Sequence, residues 1–140
     1  MQTSFEKYLP WFILREIPFI GNTMIKKLIR QFQSPEKVLN APEAQLKKIN
    51  NITVKMINGI IHHNTFQEKA KKELNQIIDK GIKIVTLTDS SYPALLKQIH
   101  DPPPFLTYLG KLDNSAPCIS IVGSRSATAY GLSTSENLAY

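Results

Sequence analysis

The stretch with the greatest capacity for chemistry is Gly123-Ser124-Arg125-Ser126-Ala127-Thr128-Ala129-Tyr130-Gly131, directly after the apolar run Cys118 to Val122. Glycine at 123 lets the backbone approach a ligand closely, while Ser124, Arg125, Ser126 and Thr128 crowd that point with hydrogen-bond donors. A helix beginning after the loop would add free amino-terminal amides, a setting that suits phosphate. The spacing Gly-x7-Gly is neither the G-x-G-x-x-G of dinucleotide folds nor the G-x4-G-K-S/T of nucleoside triphosphatases, and no Walker lysine follows. On residues alone two readings stay open. The loop is either a phosphate cradle or a turn in which Arg125 pairs with a surface carboxylate.

Other chemistry-bearing side chains reduce to packing or capping. His62 and His63 are adjacent, so they diverge on a helix, and no Cys or carboxylate stands at metal spacing; no metal site is expected. His100 precedes Asp101, but no nucleophile, base and orienting carboxylate occur as a set, so no catalytic residue is assigned. Cys118 is the one cysteine, which excludes an intrachain disulfide and fits a reducing compartment; it reads as a buried small hydrophobe. Trp11 and Phe12 read as core, whereas Tyr130, at the mouth of the loop, could stack on a base.

The elements that must carry these residues fall into two parts. Apolar residues at helical spacing predict helices over Phe5 to Leu14, closed by Pro18, and over Met24 to Phe32. Ser34-Pro35 reads as an N-cap with proline at the first helical position, starting a short helix through Leu39. Further helices are predicted over Glu43 to Ile49, Thr53 to His63 and Phe66 to Lys80, the last stopped by Gly81. The period then changes: Ile82 to Leu87, Phe105 to Leu109 and Cys118 to Val122 read as short strands, with a helical turn over Tyr92 to Leu96 and a stiff Asp101-Pro102-Pro103-Pro104 connection. The fold class is α/β: a small helical bundle over residues 1–80, then the opening strands and loop of a doubly wound sheet domain over residues 81–140. A strand, loop and helix with no following strand is expected to be a fragment of a longer chain, truncated or split.

Charge separates the same two parts. Of 17 basic and 11 acidic side chains, residues 1–80 hold 13 and 7 and the remainder 4 and 4, so the excess of +6 belongs to the helices. That excess either attracts phosphate backbones through counterion release or is an ordinary solvated face. Pro10, Arg15, Glu16 and Pro18 interrupt the most apolar stretch, and no signal peptide is evident, so the chain is expected in the cytoplasm with no membrane contact.

Taken together, Tyr92-Pro93-x-x-Leu96, Asp101-x-Pro103, Leu106-x-x-Leu109-Gly110 and Ile121-Val122-Gly123-Ser124-Arg125-x-x-Thr128-x-Tyr130-Gly131 resemble the start of the DNA-processing protein A family, also called Smf. The resemblance is strong over residues 80–140 and looser before. It implies an extended Rossmann-like domain that binds single-stranded DNA, protects it during natural transformation and helps load RecA, without catalysis or cofactor. It places Gly123, Ser124 and Arg125 in the pocket for the single-stranded backbone, with Thr128 and Gly131 shaping the loop. It also implies a homodimer whose dimerisation surface, like the family's Ser-Gly-x-Ala-x-Gly-Ile-Asp segment, would lie beyond Tyr140. The N-terminal helices resemble the sterile-alpha-motif-like (SAM) or helix-hairpin-helix (HhH) region of relatives, with Ile17-Pro18-Phe19-Ile20-Gly21-Asn22-Thr23 as the hairpin and Ile49-Asn50-Asn51-Ile52-Thr53 as a second copy. Phe19 stands at the first glycine position, where its bulk is expected to disfavour the required backbone. Gly21, Asn22, Thr23, Lys26 and Lys27 would meet DNA, or else the bundle is structural or an interaction module. The competing class is a nucleotide-processing Rossmann-like enzyme of the phosphoribohydrolase type, whose Pro-Gly-Gly-x-Gly-Thr segment does not occur here.

Overall fold

A computed structural model describes residues 4–112 and 120–139. In chain order the elements are α1 Ser4–Glu16, α2 Asn22–Phe32, α3 Pro35–Leu39, α4 Glu43–Leu46, α5 Val54–Ile61, a 3-10 turn His63–Phe66, α6 Gln67–Asp79, β1 Lys83–Thr86, α7 Ala94–Gln98, β2 Phe105–Tyr108 and α8 Ala129–Ala139. The expected helices are present within a residue or two at their starts, although the fourth ends at Leu46 and continues only as turns. Local chemistry explains their limits. The Ser34 hydroxyl accepts from the Lys37 amide at 3.3 Å ahead of Pro35, and the Thr53 hydroxyl does the same for Met56. At the end of α6, Gly81 takes φ +65°, and the amides of Gly81 and Ile82 donate back to the carbonyls of Ile78 and Ile77 at 2.9 and 3.1 Å, satisfying the last turn.

Helix α1 is the centre of the molecule. It runs straight through Pro10, and four consecutive residues, Trp11 to Leu14, are buried. A helix buried on so many sides must be enclosed rather than laid on a surface, and α2, α3, α6 and the 3-10 turn all pack on it. That enclosure offsets the hydrogen bond Pro10 cannot make, since each fully buried Leu, Ile or Phe contributes about 1.5–3 kcal/mol.

The helices before α6 include two helix–turn–helix units with the same turn. In the first, the Ile20 amide donates to the Ile17 carbonyl at 3.3 Å with φ +69° at Phe19; in the second, Ile52 donates to Ile49 at 3.3 Å with φ +67° at Asn51. A positive φ at the third residue of a four-residue turn is the type II requirement, which glycine or asparagine meets easily and phenylalanine does not. Phe19 therefore adopts the conformation its side chain was expected to disfavour. Burial of Ile17 and Ile20 on either side outweighs a left-handed cost of about 1–2 kcal/mol. The units touch where Gly59 of α5 faces Ile17: a Cβ at 59 would overlap the Ile17 Cγ2 methyl.

The two strands are antiparallel, Lys83 opposite Tyr108 and Thr86 opposite Phe105, and form a two-stranded sheet. They sit on α1: the rings of Phe12 and Phe105 stack with centroids 4.3 Å apart, and the Arg15 guanidinium lies 5.2 and 5.0 Å from the two ring centres. Arg15 also pairs with Glu16 and Glu73, and Lys69 reaches Glu16, whose carboxyl is held below its usual range by the Lys69 hydrogen bond foremost. One buried cluster thus extends from Trp11 to Phe105.

The loop after β1 is tied to the same helix. Asp89 accepts from the Thr86 amide and hydroxyl at 2.8 and 2.9 Å and from Lys7 of α1 at 2.9 Å. Burial alone would raise the Asp89 carboxyl, but these bonds hold it below its usual range. The proline connection is held too. Buried Tyr92 donates its hydroxyl to the Pro103 carbonyl at 2.8 Å, and burial pushes that phenol's pKa up.

The third expected strand departs from this picture. Its start, Cys118 included, lies outside the described residues; residues 120–122 are not a strand, and Ile121 and Val122 are exposed. A short apolar run becomes a strand only when a neighbour pairs it and a layer covers its faces, and neither β1 nor β2 pairs with residues 120–122. Among the described residues the sheet is a two-stranded antiparallel ribbon in a mixed helical fold, consistent with the α/β class.

Candidate nucleic-acid interface

Two separate stretches place basic or donor groups at the surface. In the first, residues 120–128 run as exposed loop into α8. The Ser126 amide donates to the Ser124 hydroxyl at 3.2 Å, which rounds the loop over Arg125. Arg125 is exposed and pairs with no carboxylate among the described residues. At Gly123, nothing among the described residues lies within 4 Å of where a Cβ would stand.

Thr128 has a different first duty from the one its position in the loop implied. It is the N-cap of α8, accepting from the Gly131 amide at 3.1 Å through its hydroxyl and from the Leu132 amide at 3.0 Å through its carbonyl. Its hydroxyl proton stays available to donate. Gly131 belongs to the first turn of that helix, and a Cβ there would stand 3.4 Å from the Thr128 oxygen, in ordinary van der Waals contact. Tyr130, in the same turn, is 80% exposed.

The second stretch is α2 and what lies beside it. The helix buries Met24, Ile25, Leu28 and Ile29, contains no acidic residue, and turns Lys26, Lys27 and Arg30 outward. Its N-cap, Gly21, makes no side-chain capping bond. A groove of about 570 Å³ along one flank is bordered by Lys26, Arg30 and Lys97; another of about 340 Å³ along the other flank is bordered by Lys27, Arg30 and Lys48. Sequence reasoning found Lys26 and Lys27 but passed over three partners. Arg30 was legible, one turn beyond both lysines, whereas Lys48 and Lys97 reach the helix only through the tertiary fold.

The remaining hairpin residues are less free. The Thr23 hydroxyl donates to Asp101 at 2.9 Å, and Lys26 donates to the Ile99 carbonyl at 3.2 Å, so both help tie α2 to the segment after α7. Lys55 lies 5.3 Å from the centre of the exposed Phe19 ring. The histidines act as caps: Nδ1 of His62 donates to the Asn58 carbonyl and that of His63 to the Ile60 carbonyl, each at 2.9 Å. Among the described residues no cluster of three metal-binding side chains occurs, and no helix is long and apolar enough to cross a membrane.

Comparison with known proteins bears on the loop and on the whole chain. The family model for DNA recombination-mediator protein A matches residues 83–140, which include Gly123 to Gly131. Protein Smf of Synechocystis is 32% identical over 130 residues, 86% of this chain and 31% of that protein. DNA processing protein DprA of Bacillus subtilis is 30% identical over 99 residues, 69% of this chain and 33% of that protein. The chain thus spans about a third of the length of these curated relatives. No solved structure gives a significant match. With the motifs of residues 92–131 falling inside the matched span and similarity to both relatives reaching back into the helices, the chain belongs to the DNA-processing protein A (DprA/Smf) family.

Proposed function

We propose that this chain is the part of a DNA-processing protein that first meets single-stranded DNA during natural transformation and recombination. In this reading residues 1–80 are the SAM- or HhH-like helical unit and residues 81–140 open a Rossmann-like domain. The protein acts in the cytoplasm by binding rather than catalysis, uses no cofactor, protects the strand and passes it to RecA, as a homodimer when the remaining domain is attached. Arg125 grips a phosphate with two parallel N–H donors, Gly123 allows the backbone to approach, and Ser124 and Thr128 donate further hydrogen bonds. Tyr130 offers a ring on which a base can stack, and Lys26 and Lys27 add attraction that is indifferent to sequence.

The observation that carries the reading is the exposed Arg125, paired with no carboxylate among the described residues, in a glycine-led loop that enters the amino end of α8, within the span matched by the family model. Fluorescence anisotropy of a labelled oligonucleotide tests it. Single strands should bind more tightly than duplex, and Arg125→Ala should weaken single-strand binding by roughly tenfold, the loss of one charge-assisted phosphate contact. Equal single-strand affinity in wild type and variant at physiological salt would remove Arg125 from the site.

A further inference from the structure

The two grooves beside α2 share a property that the loop lacks: each is bordered by several cations, and Arg30 is common to both. Lys26 stands one turn before Arg30 on one flank and Lys27 on the other, and Lys97 and Lys48 extend the line outward on either side. Side chains three and four apart on a helix are about 5–6 Å from one another at their bases, close enough for adjacent cations to serve neighbouring phosphates. Neither groove is bordered by a carboxylate, and Lys27, Arg30, Lys48 and Lys97 form no ion pair among the described residues. Gln33 and Thr88 in one groove, and Gln31 and Asn50 in the other, add neutral donors of the kind that meet phosphate oxygens.

What the grooves do not contain matters equally. No aromatic side chain borders either one, so there is no platform on which an unpaired base could stack. Ile29 and Leu87 line the larger groove and Ile49 the smaller, so a polyanion would be held at the charged rims, without a stacking surface, and charge is densest on a duplex. We infer that α2 is the centre of a second nucleic-acid site, a track running Lys97, Lys26, Arg30, Lys27, Lys48 that holds the phosphodiester backbone of duplex DNA, separate from the single-strand loop at Gly123 to Arg125. The track rests on the proposed function only in taking nucleic acid as the polyanion.

The test uses the full chain and a labelled duplex of random sequence, titrated between about 50 and 200 mM salt. Arg30→Glu should weaken duplex binding by roughly tenfold or more and flatten the dependence of log affinity on log salt by about one to two. The double variant Lys48→Glu with Lys97→Glu should do the same from the ends of the track, which keeps the test intact should Arg30→Glu disturb the fold by circular dichroism. Lys72→Glu, an exposed reversal on α6, should cost less than about threefold, the share due to net charge. Arg125→Ala should leave duplex affinity unchanged while lowering single-strand affinity, so the two sites fail separately. Equal losses from Lys72→Glu and the track variants would overturn the proposal, as would the absence of duplex binding at low salt. Displacement of the duplex by polyglutamate as readily as by unlabelled duplex of equal charge would overturn the assignment to nucleic acid.

Discussion

Phe19 holds a left-handed backbone at φ +69° with its ring two-thirds exposed, so it bears the cost of that conformation without the return of burying an aromatic ring. What it gains is a contact with Lys55, worth about 0.5–1 kcal/mol at an exposed site. Glycine at 19 would remove a left-handed penalty of about 1–2 kcal/mol while adding freedom to the unfolded chain. Phe19→Gly should therefore leave stability unchanged or raise it by up to about 1 kcal/mol, read as the urea midpoint at constant slope. A loss greater than that would mean the ring supports the fold through contacts other than Lys55. Thr128 teaches a related lesson at the other end of the chain: its hydroxyl oxygen caps a helix, which leaves the hydroxyl proton for the proposed phosphate contact.

Among the elements, β1 and its following loop depend on Asp89, which joins Thr86 to Lys7 of α1. The carboxyls of Asp89 and Glu16 both sit below their usual range in the folded protein, so their contribution is complete above the ordinary carboxylate pKa near 4 and is lost as the pH falls through the lower folded values. The melting temperature should fall as the pH is lowered from about 5 to 3, and Asp89→Asn should lower stability at neutral pH by about 1–2 kcal/mol while reducing that acid sensitivity. Parallel acid profiles for variant and wild type would show that Asp89 does not carry the linkage. Lys7 has the opposite sign: its raised pKa gives stability at neutral pH that fades only as the pH climbs past the ordinary lysine range. The helices were legible in the sequence because Ser34, Pro35, Thr53 and Gly81 mark their ends by local chemistry, and α2 shows its buried and basic faces at helical period. The pairing of β1 with β2 and their seat on α1 were not, since Phe12 and Phe105 meet across 93 residues and no local rule joins them. The run ending at Val122 misled for the same reason: its composition is that of a strand, but strand formation requires a partner. In the site, Arg125 and the α2 lysines were visible as residue types, whereas the cap at Thr128 and the approach of Lys48 and Lys97 needed the folded chain.

At the scale of the molecule, the charge asymmetry acquires a place. The helices carry the net positive charge, and four of their cations, with Lys97 from the second part, border two grooves beside α2, while the loop at Gly123 to Arg125 lies in the neutral part. The two proposed sites differ in character: a loop with an exposed arginine and a nearby exposed tyrosine, assigned to single strands, and a set of cations beside α2 without aromatic rings, assigned to duplex. The most direct measurement is amide chemical-shift mapping of the isotopically labelled chain with an unstructured single-stranded oligonucleotide. The account predicts that the earliest and largest changes fall on Gly123 to Gly131, with changes along Lys26 to Arg30 following only at higher oligonucleotide and vanishing with added salt. Changes confined to α2, or spread evenly over the basic residues of α6, would contradict the assignment of single-strand binding to the loop.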